Sequence, residues 1–361
     1  MRLRSIEPDL FRIELPMVLS DSTHGQISHF ELVTVRLRDE DGVEGLGYSY
    51  TVGAGGRAIR ALIEHDLKPF IEGQDGTRIE QLWHGMWWRL HFVGRGGIAA
   101  FAMAAIDVAL WDLRGRRAGL PFWRLLGGHD PHVSAYAGGV DLEFPLEKLL
   151  RQTEANLERG FRAIKMKVGR PQLSEDVARV EAMRGLLGPD APLMVDANMR
   201  WRVDEAIRAS RAFAPHDVFW LEEPTIPDDV EGHARIAREA PLPIATGENF
   251  HSIYEFERMM AAGGVAFPEP DCATLGGITP WLKVAHAAEM RNLPVTSHGV
   301  HDLHVHLLAA VPNASYLEVH GFGLERFLEH PLAIEDGVAL APDRPGHGVT
   351  LDWQALEPYR A

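Results

Sequence analysis

The sequence predicts an α/β protein, a (β/α)8-type TIM barrel that carries the chemistry, preceded by a smaller α+β domain. Three observations lead there. Asp196, Glu222 and Glu248 each close a short apolar run, and 26 residues separate each from the next. A strand and its following helix occupy roughly that length, so three successive strands of one array would each end in a carboxylate. From about residue 133, short β-like runs alternate with helix-like segments, and eight such runs can be counted. The first 50 residues have a different texture, β strands with a hairpin turn between the last two.

Taken in order, residues 3–15, 28–38 and 44–50 read as strands, and Asp39-Glu-Asp-Gly42 suits the turn between the last two. Leu19 to Ile27 reads as a polar loop too long for a tight turn, a kind that often carries function. Helical patterns follow at 56–71, 77–92 and 96–117; Ile98 to Arg116 is Ala-rich and apolar on most sides, as a buried helix is. Barrel strands are predicted at 133–138, 163–168, 192–196, 217–222, 243–247, 265–270, 293–297 and 315–319. Helices are predicted between most of them, at 173–187, 203–213, 229–239, 252–262 and 279–290. The domain division that follows is 1–125 for the capping unit and 126–330 for the barrel. Residues 331–361, rich in Pro and Gly, have no ninth unit to form and are expected to return to the first domain.

With 361 residues, 46% of them hydrophobic, the chain can bury one large domain and a smaller one. Its formal charge is −15, from 51 acids against 36 Lys and Arg, which offers nucleic acid and anionic membranes no complementary surface. The single cysteine, Cys272, excludes an internal disulfide and suits a reducing compartment. No apolar leader opens the sequence and no stretch approaches a transmembrane length, so a cytoplasmic location is expected.

The candidate chemistry lies at the strand ends. Asp196, Glu222 and Glu248 would offer three hard oxygen ligands at one face, a set that suits Mg²⁺ better than zinc. Lys165 and Lys167 share one side of the second barrel strand, because side chains alternate along it. Two such lysines would equally suit a solvated face. Ile164, Met166 and Val168 between and beside them would face the helices, however, which turns both lysines into the barrel. Buried ammonium groups need anions nearby, and the three acids supply them. A lysine crowded by a second lysine and a cation has its pKa lowered, which makes it usable as a general base. Asp271 and His298 end strands six and seven, where a carboxylate behind an imidazole would fix its tautomer and raise its basicity. Alone, that pair would read as a structural contact. With Glu318 ending strand eight, strands two to eight each end in an ionisable group, a desolvation cost that a purely structural barrel has little reason to bear.

In Lys165-Met-Lys-Val-Gly169, Asp196-Ala-Asn198, Trp220-Leu-Glu-Glu-Pro224, Thr246-Gly-Glu-Asn249, Asp271 with Gly276-Gly-Ile-Thr279, and Ser297-His298, the chain resembles the enolase superfamily, in its mandelate racemase subgroup. The resemblance covers essentially the whole length and implies a modified, enolase-like barrel under a capping domain. It implies one Mg²⁺ per subunit on Asp196, Glu222 and Glu248, with Lys167 as a base on one substrate face. His298, held by Asp271, would be the acid/base on the other, with Lys165 and Glu318 at the substrate carboxylate. Asn198, and His24 and Tyr50 from the capping domain, are the expected substrate-binding residues.

The family's shared chemistry is removal of a proton α to a carboxylate, followed by racemisation or epimerisation, or by dehydration where a β-hydroxyl leaves. Gly47-Tyr-Ser-Tyr50, Ala54-Gly-Gly56, Val93-Gly-Arg-Gly-Gly97, Asp112 to Gly119 and Asp302-Leu-His-Val-His306 bring the resemblance nearest to acid-sugar dehydratases, those acting on L-talarate and galactarate above all. The implied partner is a small carboxylate, an acid sugar, and a homo-oligomer is expected by analogy alone. An epimerase on the same scaffold is the nearest alternative. Muconate-type cycloisomerisation fits the His–Asp dyad less well, and a barrel hydrolase would want a His-x-His that residues 133–138 do not have. Glu269 and His301 depart from the pattern, while His304 and His306 read as histidines on a helix face.

Overall fold

The computed structural model describes residues 1–320 and 322–361. Its first unit is an antiparallel sheet in the order β1 (Leu3–Asp21), β2 (Gly25–Asp39) and β3 (Glu44–Thr51). The first two strands run well past their predicted ends. Leu19 pairs with Ile27 and Asp21 with Gly25, so the expected polar loop is instead the end of a long hairpin with Ser22-Thr23-His24 at its tip. Asp21 closes that tip by accepting from the backbone N–H groups of Thr23 (2.8 Å) and His24 (2.6 Å), a turn chemistry that the run of polar residues concealed.

Helix α1 (Gly56–Leu62) continues through a wider turn at 63–67 into α2 (Lys68–Ile71), and α3 (Ile79–Leu90) and α4 (Ile98–Ala118) follow. As its Ala-rich sequence predicts, α4 is buried along most of its length. The sheet lies directly on it, because a Cβ at Gly45 or Gly47 of β3 would collide with the carbonyls of Ala109 or Ala105. A short α5 (Phe122–Leu125) leads into the barrel.

The barrel comprises β4 (His132–Gly138), α6 (Leu146–Glu158), β5 (Ile164–Lys167), α7 (Leu173–Leu187), β6 (Leu193–Asp196), α8 (Val203–Phe213), β7 (Val218–Glu222), α9 (Val230–Glu239) and β8 (Ile244–Thr246). It continues through α10 (Ile253–Ala261), β9 (Phe267–Pro268), α11 (Cys272–Leu275), α12 (Ile278–Glu289), α13 (His301–Leu308) and β10 (Leu317–His320). Strands β4 to β9 lie side by side in chain order, all parallel, and β10 closes the ring against β4. The predicted seventh strand, 293–297, occupies its place but forms only a bridge, Val295 with Ala314, plus a hydrogen bond from Thr296 N–H to the Pro268 carbonyl (3.0 Å). Pro268, Pro270 and Pro294 have no N–H to donate, which keeps the ladder short on this side.

After the barrel, β11 (Ile334–Glu335) and β12 (Val338–Leu340) form a hairpin antiparallel to β4. The chain then passes through α14 (Trp353–Leu356) and meets β1 again, where Ala361 N–H donates to the Leu10 carbonyl (2.9 Å). Inside the barrel, Tyr136, Ala163, Met194, Trp220 and Ala245 pack into one buried layer, edged by Phe267 and Tyr316. Two residues past Ala163, Met194, Trp220 and Tyr316 the apolar filling gives way to Lys165, Asp196, Glu222 and Glu318. No helix among the described residues is long and apolar enough to cross a membrane.

Candidate active site

Above that apolar layer, the ends of β6, β7 and β8 bring Asp196, Glu222 and Glu248 together, with one oxygen of each within 4.8 Å of the others. Trp220 fixes Glu222 from below through its indole N–H (3.0 Å), and the backbone N–H of Asn198 donates to Asp196 (2.8 Å). The donor set is all carboxylate oxygen, converging and almost entirely buried, so the residues fit a hard divalent cation.

Both lysines point into this cluster. Lys165 contacts Glu222 and lies 2.8 Å from Glu318 and 3.7 Å from Asp196; Lys167 contacts Asp196. Burial works against both ammonium groups, but Glu222 and Glu318 outweigh it at Lys165 and Asp196 at Lys167, and both pKa values end above the ordinary lysine value. That reverses the lowering predicted from the sequence, and the reason is stoichiometric. In this arrangement the lysines are the cations that the acids pair with. A divalent ion on the same oxygens would compete with them and restore the predicted direction. Among the acids, burial lifts Glu222 to about 8 against the pull of Lys165. Asp196, where the two lysines overcome burial, is lowered.

His298 stands at the other end of the carboxylate run. Its Nε2 is 3.1 Å from Glu248, and its Nδ1 is 3.1 Å from Oδ2 of Asp271. Burial opposes its protonation, but Glu248, Glu318 and Asp271 together push the imidazole up to about 10. Asp271 is itself fixed at the start of α11, where Oδ1 accepts from Ala273 N–H (2.8 Å). Glu318 accepts from Gly299 N–H (3.0 Å) and reaches Lys165 across Gly138, where any Cβ would strike its carboxylate.

The other predicted residues fall into two groups. His24 sits at the hairpin tip, part exposed, and Asp21 hydrogen-bonds its ring and holds its pKa above the ordinary value against burial. Ser22 donates to the Ala197 carbonyl (2.6 Å) and Thr23 to that of Asn198, which pins this tip over the barrel mouth. Asn198 keeps a buried side-chain oxygen with no partner among the described residues. The buried hydroxyl of Tyr50 donates to Asp271 (2.8 Å), and its ring lines a small pocket with His301 and His320. His304 accepts from Cys272 N–H (3.0 Å) and His306 bonds to the His347 carbonyl (3.1 Å), so both are buried in backbone contacts. Glu269, an unexpected acid in sequence, is buried within the same charge cluster, and neither oxygen has a partner among the described residues.

Three groups escaped sequence reading. Asp141 accepts from Lys167 N–H (3.0 Å) and is braced by Arg179 (3.8 Å), which sets the end of β5. Glu223, buried and bonded to Asn249 (2.8 Å), lies behind the metal acids. His320, two residues beyond Glu318, has its ring centroid 5.7 Å from that of His298. Its position after an inward-facing Glu318 on the same strand was the available signal.

A parallel barrel with buried acids, lysines and a His–Asp dyad at its C-terminal rim defines a metal-assisted enzyme of carbon-acid chemistry. The chain belongs to the enolase superfamily, in the mandelate racemase group. Residues 5–127 match the family described as mandelate racemase / muconate lactonizing enzyme, N-terminal domain, and residues 148–355 match the enolase C-terminal domain-like family. The chain is 55% identical over 354 residues, 98% of each chain, to the 3,6-anhydro-alpha-L-galactonate cycloisomerase of Streptomyces coelicolor. It superposes with a TM-score of 0.98 on a racemase from Streptomyces coelicolor A3(2) with bound magnesium, at 54% identity over 99% of this chain and 100% of that one. The L-talarate/galactarate dehydratase of Salmonella typhimurium, liganded with Mg and L-lyxarohydroxamate, gives a TM-score of 0.95 at 34% identity over 100% of this chain and 93% of that one.

Proposed function

We propose that this protein removes the proton α to the carboxylate of a sugar acid and then expels the oxygen on the β-carbon, with a 3,6-anhydro sugar acid as the favoured substrate. One observation carries the reaction class: Lys167 and His298 stand at opposite ends of the three-acid run, so a carboxylate held there would present its α-carbon between two groups able to move protons. The similarity to the cycloisomerase supports the anhydro substrate, and that to the dehydratase supports an open-chain hydroxy acid as the second reading.

Asp196, Glu222 and Glu248 would hold Mg²⁺, which when bound acts as a Lewis acid for the negative charge that develops on the substrate carboxylate. Lys165, reaching Glu222 and Glu318, places a further positive charge beside that carboxylate. With Asp196 committed to a cation, Lys167 loses the anion that holds its proton and can take the C2 proton. That electron pair becomes the C2–C3 double bond, the C3–O bond breaks, and its pair leaves on oxygen. His298, still paired with Asp271 and near Glu318 when Glu248 is committed to the cation, supplies the proton that the departing oxygen needs. The resulting enol ketonises by gaining a proton at C3, giving a 3-deoxy-2-keto acid. Where the oxygen is a ring ether it stays attached at C6 and the product is an isomer; where it is a hydroxyl, water is lost.

The test is a proton NMR time course in D₂O with Mg²⁺, comparing 3,6-anhydro-L-galactonate, galactarate and L-talarate. Ring opening to a 3-deoxy-2-keto acid is the expected result. Turnover of the open-chain acids alone would make the protein a dehydratase, and C2 exchange without elimination would make it an epimerase. Neither exchange nor product with any of the three would end the sugar-acid reading.

A further inference from the structure

His320 is an imidazole at the barrel mouth with a ring nitrogen left unpaired among the described residues. It is 9% exposed, and its Nδ1 is buried with no hydrogen bond among the described residues. The ring packs against Phe322, with centroids 4.0 Å apart, and meets the His298 ring edge-on at 5.7 Å. One of its nitrogens lies within 4.8 Å of ligand atoms of both His298 and Glu318. It also lines a cavity of about 650 Å³ together with Leu19 of the capping hairpin, Gly138, Gly139 and His301.

Its level in the barrel decides what it can reach. Glu318 stands beside Lys165, where the substrate carboxylate is expected, and His320 is two residues further along β10 on the same side. At about 3.3 Å per residue, that displacement is roughly 6–7 Å toward the capping domain. A group there passes the carboxylate and meets the substituents of the next carbons.

We propose that His320 contacts the sugar acid itself, hydrogen-bonding to the oxygen on the carbon β to the carboxylate and so selecting the bond that breaks. This rests on the sugar-acid reading above and adds to it the group that recognises the leaving oxygen. Burial drives the His320 pKa down to about 3, with Glu318 opposing and His298, Lys167 and Lys165 reinforcing. The ring is therefore uncharged, with one N–H to donate. An uncharged imidazole in an apolar setting polarises an oxygen without competing for the proton that a neighbouring acid delivers. Here that neighbour is His298.

The experiment separates exchange from elimination. His320→Leu and His320→Asn are incubated with the anhydro acid and Mg²⁺ in D₂O, and deuterium at C2 of recovered substrate is compared with the 3-deoxy product formed. In His320→Leu the ratio of exchange to product should rise roughly 10- to 100-fold, the scale of a lost hydrogen bond in a site built for one. In His320→Asn, whose amide keeps a donor and fits more easily should the leucine variant misfold, part of the product rate should return. Exchange and elimination falling in parallel in a folded variant would overturn the assignment, as would an unchanged ratio. A wild-type protein that neither exchanges the C2 proton nor forms product would remove the sugar-acid reading and this proposal with it; turnover with an unaltered ratio removes only the role of His320.

Discussion

Replacing Asp271 with Asn should disable one face of the site and leave the other working. Oδ1 of Asp271 accepts from Ala273 N–H at 2.8 Å, a bond that an amide oxygen can keep. Keeping it places the new NH₂ where Oδ2 now receives the Tyr50 hydroxyl (2.8 Å) and faces His298 Nδ1 (3.1 Å). Two donors would then confront a third. The imidazolium, with a proton on each nitrogen, can relieve the clash only by giving up the one on Nδ1, which leaves a neutral ring whose remaining proton is on Nε2, facing Glu248. What is lost is a hydrogen bond to a charged acceptor, about 1.5–3 kcal/mol, or roughly 10- to 150-fold in a step that His298 carries out. The assay is deuterium exchange at C2 of two sugar acids epimeric at that carbon, so that one presents its proton to His298 and the other to Lys167. Exchange on the His298 face should fall by that factor, and exchange on the Lys167 face should stay within about threefold, since no Asp271 contact reaches Lys167. Equal losses on both faces, in a protein that unfolds at the wild-type urea midpoint, would refute the separate roles of the two bases.

Mg²⁺ binding should strengthen with pH. Burial, reinforced by Asp196 and opposed by Lys165, lifts Glu222 to about 8, so below that pH its carboxyl holds a proton that an incoming cation must displace. Calorimetry in buffers of different ionisation heat should find about one proton released, and an affinity rising up to about tenfold per unit between pH 6 and 8; a flat profile would refute it. Stability should fall with acid through His306, whose pKa burial pushes down to about 3 from the ordinary 6.5. The unfolded chain takes up this proton first, so stability present above pH 6.5 is lost between 6.5 and 3, at about 1.4 kcal/mol per unit. Between pH 7 and 5, His306→Gln should therefore lose about 2 kcal/mol less than wild type in urea unfolding. Gly138→Ala should push Glu318 off Lys165 and lower kcat about tenfold or more with the barrel still folded, since the added Cβ meets a side-chain carboxylate; an unchanged kcat would mean that Glu318 relaxes freely.

The strand ends were legible because barrel geometry imposes a period. A strand that must finish at one rim and a helix that must return leave little freedom in spacing, so Asp196, Glu222 and Glu248 announce themselves at equal intervals. The helices 173–187 and 203–213 were recovered to the residue, the second by a clear apolar face of Ala206, Ile207, Ala209 and Phe213. Helix α6 was missed although Leu149, Leu150 and Thr153 fall on one face at helical spacing, so the signal was present and went unread. The hairpin tip at 22–24 was read as a loop because its closure depends on one side chain, Asp21, rather than on a pattern. The raised pKa of the lysines was not legible at all. It depends on which cation occupies the carboxylates, and that is set by what binds rather than by the order of residues.

The near-carboxylate groups do not separate a cycloisomerase from a dehydratase. Both reactions begin by moving the C2 proton and both break a C3–O bond, so Lys165, Lys167, Glu318 and the three acids have the same work in each. The two differ only in whether the departing oxygen remains tied to the substrate, a difference located away from the carboxylate, toward the capping domain. On that side stand His24 on the hairpin tip, and His301 and His320 along the wall of a cavity that Lys148 and Arg151 of α6 and Arg159 at its end also line. A five-membered ether ring is compact and carries fewer hydroxyls than an open hexarate, which bears a second charge at its far end. Discrimination between them would therefore turn on accommodating a compact ring beside His320, a need that an uncharged imidazole suits. Exchanging the hairpin tip, residues 19–27, between this chain and a dehydratase relative should shift the ratio of anhydro to open-chain turnover and leave the rate of C2 exchange nearly unchanged. If the swap alters C2 exchange as strongly as it alters the ratio, the division between a shared chemical floor and a selective rim is wrong.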